Sequence, residues 1–287
     1  MIHRKKPKTP PVAFIDSKWD QIKNDVLIAK NNHKADERLY RETTIDSLTE
    51  IFKYKSAYCE RDRGDELHVD HYRPRKARKH KLKTKYNQSG YYWLTYEWSN
   101  FLPLCSKCNT KKSNKFPLEG WSDRKRITSH LDLSNHFNFK PFDLLWLNLF
   151  EQPLLLNPEI ETNFTSHFHF DDNCKIIGKT HQSEETIIIC DLNRNDLKRE
   201  RLVIRNNIVN GIKEALVDFS ISNDQSMLRG ELKGIFKNII KNCHEDQPHS
   251  LFHTYLYMDF NTFIDSKLPL NLRGQATKYF VWVYFFI

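Results

Sequence analysis

The chain contains no apolar run that approaches the length of a membrane-spanning helix, and no apolar core follows its basic opening Met1-Ile2-His3-Arg4-Lys5-Lys6. A helix needs about 20 apolar residues to cross a bilayer, so no membrane partner is expected. A secretory leader is not expected either. Six cysteines in 287 residues are too few for a disulfide framework. Cys174, Cys190 and Cys243 stand alone in sequence and read as small buried side chains. These absences point to a reducing cytoplasm. Internal repeats are lacking, and so are low-complexity tracts outside one basic segment. In that segment, from Arg73 to Lys85, acidic residues are missing altogether.

What is present is a packable chain with a cationic surplus. Hydrophobic residues make up 39%, enough for a folded core. The formal charge is +9, which favours a polyanionic partner without identifying one. The acid-free stretch carries Arg73, Arg75, Lys76, Arg78, Lys79, Lys81, Lys83 and Lys85. Such an arm can track a phosphate backbone with strong salt dependence. A plain solvated loop is the alternative, since charge runs usually sit there.

Three short segments carry recognisable chemistry. Asp70-His71 lies in Val69-Asp70-His71-Tyr72-Arg73-Pro74, Asn100 lies in Trp98-Ser99-Asn100-Phe101, and Cys105-Ser-Lys-Cys108 is followed at once by Asn109. Phosphodiester cleavage needs an activated water and a cation to offset charge on phosphate and leaving oxygen. An imidazole titrates near neutral pH, which suits His71 to the base role. Mg²⁺ (or Mn²⁺) prefers oxygen ligands and keeps several waters, so Asp70 and Asn109 can suffice to hold it. Asn100 can fix a loop through side-chain-to-backbone hydrogen bonds. Neighbouring strand residues point to opposite faces, so Asp70 and His71 converge only if the strand ends or bends between them. Arg73-Pro74 just downstream supports such an exit. The Cys-x-x-Cys knuckle then places Asn109 at the start of a helix running through Lys112 and Lys115, and Lys112 is a candidate phosphate contact.

These segments resemble the HNH nuclease family, whose core is two strands and a helix around one metal ion. Here His71, Asn100 and Asn109 match, with Asn replacing the final His. Further matches are Ala57-Tyr58-Cys59-Glu60, Tyr91-Tyr92-Trp93-Leu94, Glu97-Trp98 and Phe116-Pro117. They make the chain similar to the PtuB-type nucleases of Septu and retron-linked antiphage systems, most specifically between Ala57 and Leu118. The resemblance implies that His71 is the general base, that Asp70 and Asn109 hold the metal, and that Asn100 tethers the loop carrying the base. It also implies DNA as substrate and control by a separate ATPase subunit of the PtuA kind. One departure matters: the family usually has Cys-x-x-Cys at the first knuckle, and here Ser56 takes the first position. That leaves Cys59, Cys105 and Cys108. Structural zinc is almost always four-coordinate, so the fourth ligand is His68 or a water, or the site is empty and held by packing.

The reading is therefore α+β. A ββα-metal nuclease core at 53–123, with the basic insertion, follows an N-terminal arm and helices at 1–52. A mainly helical region at 124–287 follows, with a short strand segment. Ser17 and Thr44 are expected to open the two leading helices. Leu154–Asn157, His167–Phe170 and Lys175–Lys179 read as short strands. Leu197, Ile204, Ile208, Ile212 and Leu216 form one helical stripe, and Leu228, Leu232, Ile235 and Ile239 another. The cluster Tyr91 to Trp98 reads as core, although aromatics beside a basic arm can stack on bases. Two other functions fit the same residues: a nucleic-acid-binding module without cleavage, and an RNase.

Overall fold

A computed structural model describes residues 1, 3–15, 18–64, 66–76, 90–119 and 143–286. The chain divides into two compact units. One comprises 2–167 and 178–192; the other comprises 168–177 and 193–287 together with Met1. The N-terminal helices and the motif-bearing segments thus share one unit. The chain is helix-rich, with two small two-stranded sheets among the described residues, which agrees with the α+β class.

In the motif-bearing unit, α1 (Lys18–Ala29) buries Trp19 and Val26, and α2 (Glu37–Ile51) buries Tyr40, Thr44 and Leu48. The second helix begins earlier than the expected Thr44. Asp36 caps it by accepting the Arg38 and Leu39 N–H groups at 3.0 and 3.4 Å, as an Asp N-cap does. Ser17 lies outside the described residues. Helix α2 packs on β1 (Leu67–His71), which pairs antiparallel with β2 (Phe101–Cys105). Helix α3 (Ser106–Lys112) follows β2 directly. It ends at Lys112 and not Lys115, because Ser113 takes a positive φ of 47°.

The core of this unit is aromatic. Tyr58, Tyr91, Tyr92, Trp93, Tyr96 and Trp98 are all buried, which answers the stacking question in favour of framework. The phenols find partners inside: Tyr58 and Tyr72 donate to the Leu156 and Leu155 carbonyls at 3.2 and 2.6 Å. Those bonds pin 154–156, which is a buried, bent segment and not the expected strand. Helix α4 (Leu144–Glu151) precedes it, α5 (Phe164–His167) is one turn long, and α6 (His181–Cys190) packs on α3. His167 closes α5 in place of lying on a strand. Its ring bonds Thr180 Oγ1 at 3.0 Å and Glu161 at 2.9 Å.

In the second unit, β3 (Phe168–Phe170) and β4 (Ile176–Gly178) form a hairpin, Gly178 itself falling in the first unit. Helices α7 (Asn195–Ser222) and α8 (Gln225–Asn242) pack together. Asn223 turns between them with φ 54°, and Asp224 caps α8. Leu228, Leu232, Phe236 and Ile239 form the buried face of α8. Helices α9 (Ser250–Met258), α10 (Phe260–Phe263) and α11 (Gln275–Phe286) complete the unit. Phe280 of α11 stacks on Phe260 at 4.2 Å. No helix among the described residues is long and apolar enough to cross a membrane.

Candidate functional site

The three motif segments meet at the β1–β2–α3 unit. The ladder runs on through Asp70↔Leu102 and His71↔Phe101. The bend expected between Asp70 and His71 is therefore absent, and the chain turns only from Tyr72 onward. Alternation then sends the two side chains to opposite faces. The His71 ring packs edge-on against Tyr40 and Phe101, with centroids 5.2 Å from each. Its Nε2 donates to the Thr95 carbonyl at 2.8 Å, which leaves Nδ1 as the unprotonated nitrogen. Desolvation pushes the His71 pKa down from 6.5 to about 3, so the imidazole is neutral at physiological pH.

Asp70 faces α3. The Lys112 Nζ lies 2.7 Å from Asp70 Oδ2, close enough for an ion pair, yet that oxygen lacks a well-angled hydrogen bond. The same ammonium donates to the His71 carbonyl at 2.6 Å. Burial raises the Asp70 pKa, and Lys112 opposes the rise. Asp70 and His71 are each 7% exposed, and Lys112 is 0% exposed. Lys112, expected to meet a phosphate, is instead an interior counter-charge. Asn109 sits one turn before Lys112, half-buried. Residues three apart share a helix face, so Asn109 is on the side of α3 that Lys112 turns toward Asp70.

Asn100 is fully buried. Its Oδ1 accepts the Arg73 N–H at 2.8 Å, and its Nδ2 donates to the carbonyls of Arg73 and Leu94 at 2.9 and 3.3 Å. It thus ties the chain leaving β1 to the turn entering β2. Lys6 of the N-terminal arm secures the same turn. Its buried Nζ donates to the Trp98 carbonyl at 2.7 Å and to that of Phe101, and it pairs with Glu159 at 3.1 Å. No local pattern points to this lysine's role, because its partner acid is remote along the chain.

The proposed nucleic-acid contacts fall into three groups. Arg73 is a correction: it is 0% exposed, its Nε pairs with Glu151 at 3.0 Å, and it bonds Asn148 at 2.7 Å. An arginine enclosed in this way cannot meet a phosphate. Arg75 is half-buried and pairs with exposed Glu37 at 2.5 Å, while Lys76 is exposed. Arg78 and Lys79 lie outside the described residues.

Cys59, Cys105 and Cys108 come together, their sulfurs all within 4.8 Å of one another, and all three are buried. Cys59 and Cys105 are 3.7 Å apart. Hydrogen bonds from the Cys108 and then the Cys59 thiol favour the Cys105 thiolate and lower its pKa. Such a donor set suits zinc or another thiophilic metal. His68 does not join it. Its ring bonds Ser106 Oγ at 2.9 Å. It pairs with Leu104 across the ladder, whereas Cys105 pairs with Leu67, so alternation places the two on opposite faces.

The buried neutral His71 has a measurable consequence. The folded chain releases a proton that the unfolded chain keeps between pH 6.5 and about 3. Its contribution is therefore complete above that window and lost as pH falls through it. Wild type should lose stability relative to His71→Phe by up to about 1.4 kcal/mol per pH unit below 6.5. Urea denaturation of both proteins from near-neutral to mildly acidic pH reads this difference, and a flat difference refutes a buried neutral imidazole.

Comparison with known proteins gives two relatives. The chain is 28% identical over 257 residues to Septu protein PtuB of Bacillus mycoides (strain KBAB4), covering 83% of this chain and 81% of that protein. It is 26% identical over 160 residues to Septu protein PtuA of the same strain, covering 54% of this chain and 20% of that protein. The chain thus spans about a fifth of that second relative's length. No family model matches the chain. No solved structure matches it.

Proposed function

We propose that the chain is a metal-dependent endonuclease of the HNH type that cuts DNA as a component of Septu antiphage defence. The observation that carries this reading is the β1–β2–α3 unit, in which Lys112 draws the Asn109-bearing face of α3 against Asp70 at the end of β1. Similarity to PtuB over more than four-fifths of both proteins supports the system.

Asp70 and Asn109 are the residues to hold a hard divalent ion. A buried carboxylate, paired with Lys112 at 2.7 Å, and a half-buried amide supply the oxygen atoms that Mg²⁺ prefers. When bound, that ion supplies charge stabilisation to the phosphate and the leaving oxygen. His71, its Nε2 committed to Thr95, is the residue to take the proton of the attacking water at Nδ1, a role that requires the end of β1 to bend so that its ring reaches the face that Asp70 occupies. Burial keeps the ring neutral and hence able to accept, but it also weakens the base. Entry of water and an anionic phosphate beside the ring reverses that desolvation. The site as described is thus a resting one. A PtuA-like ATPase subunit, which the family resemblance implies, is the candidate for opening it.

The burial of Asp70 and His71 also favours a second reading, a nucleic-acid-binding module without cleavage. One comparison separates them: DNA and RNA cleavage by wild type and His71→Ala in Mg²⁺, with and without a PtuA partner. We expect DNA to be cut, and the rate to fall at least about a hundredfold in the variant, as loss of a general base does. Equal rates remove His71 from the chemistry. Cleavage of neither polymer under any condition leaves binding alone, and cleavage of RNA alone makes the chain an RNase.

A further inference from the structure

The three-cysteine cluster lacks the fourth cysteine of a closed tetrahedral site, and Ser56 lies against one of its members, Cys105. Ser56, Cys59, Cys105 and Cys108 are 1%, 3%, 3% and 0% exposed, so the corner is dry. That burial argues against a solvent water as fourth ligand. His68 is excluded by its face of the ladder and its bond to Ser106. Ser56 remains.

We propose that Ser56 Oγ closes the fourth corner of a metal site formed with Cys59, Cys105 and Cys108. The proposal rests on reading the cluster as a metal site. The backbone from Ser56 to Glu60 already forms a tight knuckle: the Glu60 N–H donates to the Ser56 carbonyl at 3.0 Å, and Glu60 takes a φ of 60°. A non-glycine residue in that region costs free energy and persists only where the surroundings impose it. Ser56 Oγ accepts the Cys105 N–H at 3.1 Å, and its hydroxyl is also hydrogen-bonded to the Cys105 side chain. A serine hydroxyl has one proton and two lone pairs. One lone pair takes the Cys105 N–H and the proton serves the Cys105 sulfur, which leaves the second lone pair for an ion. Charge favours the arrangement too. Three thiolates and a neutral hydroxyl around a divalent ion leave one net negative charge in a dry site, where four thiolates leave two, and buried net charge is costly.

The test uses the full-length chain stripped of metal and titrated with Co²⁺ and Zn²⁺, with circular dichroism to confirm folding. Wild type should bind one ion, with thiolate-to-cobalt charge transfer and tetrahedral d–d bands. Ser56→Cys should bind at least about tenfold tighter, with stronger charge transfer. Ser56→Ala should bind about tenfold weaker, the scale of a lost supporting ligand, and His68→Ala should match wild type. A Ser56→Cys spectrum like that of wild type, unaltered affinity in Ser56→Ala, or loss of metal in His68→Ala overturns the serine assignment while leaving a metal site in place. Failure of wild type to bind either ion overturns the metal site itself.

Discussion

Glu151→Ala should cost about 3–5 kcal/mol of folding stability, because it strands a buried guanidinium. Arg73 and Glu151 are both 0% exposed, and Glu151 also accepts the Tyr91 hydroxyl at 2.7 Å. The arginine lies over the rings of Tyr72, Tyr91 and Phe116 at 5.1–5.6 Å. Water cannot solvate the charge left behind. Since a domain of this size holds only about 5–15 kcal/mol in total, the loss is a large fraction of stability. Arg73→Met should be of similar size, because it leaves the carboxylate alone. The double replacement Arg73→Met with Glu151→Leu should recover most of the loss, since apolar pairs of similar volume often match a buried ion pair. Urea denaturation of the four proteins measures the cycle. Additive losses in the double variant would falsify the coupling.

Replacing residues 77–89 with a short Gly-Ser link should leave the fold intact and weaken DNA binding by about two to three orders of magnitude. Fold survival follows from the geometry at the two ends. Tyr91 N–H donates to the Pro74 carbonyl at 2.9 Å. A Cβ on Gly90 would lie 2.2 Å from the Arg75 carbonyl oxygen and 2.3 Å from that of Lys76, so the chain returns in close contact with where it left. Loop-closure cost changes only slowly with length, and the ends are already joined. The binding loss follows from the charges removed: Arg78, Lys79, Lys81, Lys83 and Lys85. Each cation that meets a phosphate contributes about one unit to the salt slope. Binding titrations at several salt concentrations should therefore give a shallower slope in the excised protein. An unchanged slope shows that these residues do not touch the backbone.

Much of this site was legible in the sequence, and the misreadings share a cause. Cys59 joins Cys105 and Cys108 as the family resemblance implies, and Asn100 makes the side-chain-to-backbone bonds that its residue type favours. Helices α7 and α8 follow from apolar periodicity, but Ile204, Ile208 and Ile235 of the expected stripes are half-buried, and Val209 and Phe236 lie inside with the rest. Arg73 and Lys112 are different. A sequence shows that a residue is charged but not which charge it will meet. The partner of Arg73 is 78 positions away, on a helix that sequence reads only as apolar. The basic run draws Arg73 into its surface reading, although the arginine follows β1 by two residues and is itself buried. His167 was misplaced for a local reason: a single helical turn is too short to display its period. The continuation of β1 through His71 rests on pairing with Phe101, which local rules about Pro74 do not reveal.

The path of the chain between the units bears on how it is made. The β3–β4 hairpin leaves the first unit's run of sequence at 168 and rejoins it after 177, yet it belongs with helices synthesised much later. Its Phe170 packs on Phe252 and Tyr255, and the Tyr255 hydroxyl reaches the Phe168 carbonyl across 87 positions. On the ribosome, these phenylalanines emerge long before their partners exist. Until α9 is translated they offer an apolar face to whatever is nearby. A ribosome that stalls between the hairpin and α9 thus releases a species primed to aggregate, and nascent-chain pelleting across that interval should peak before α9 emerges.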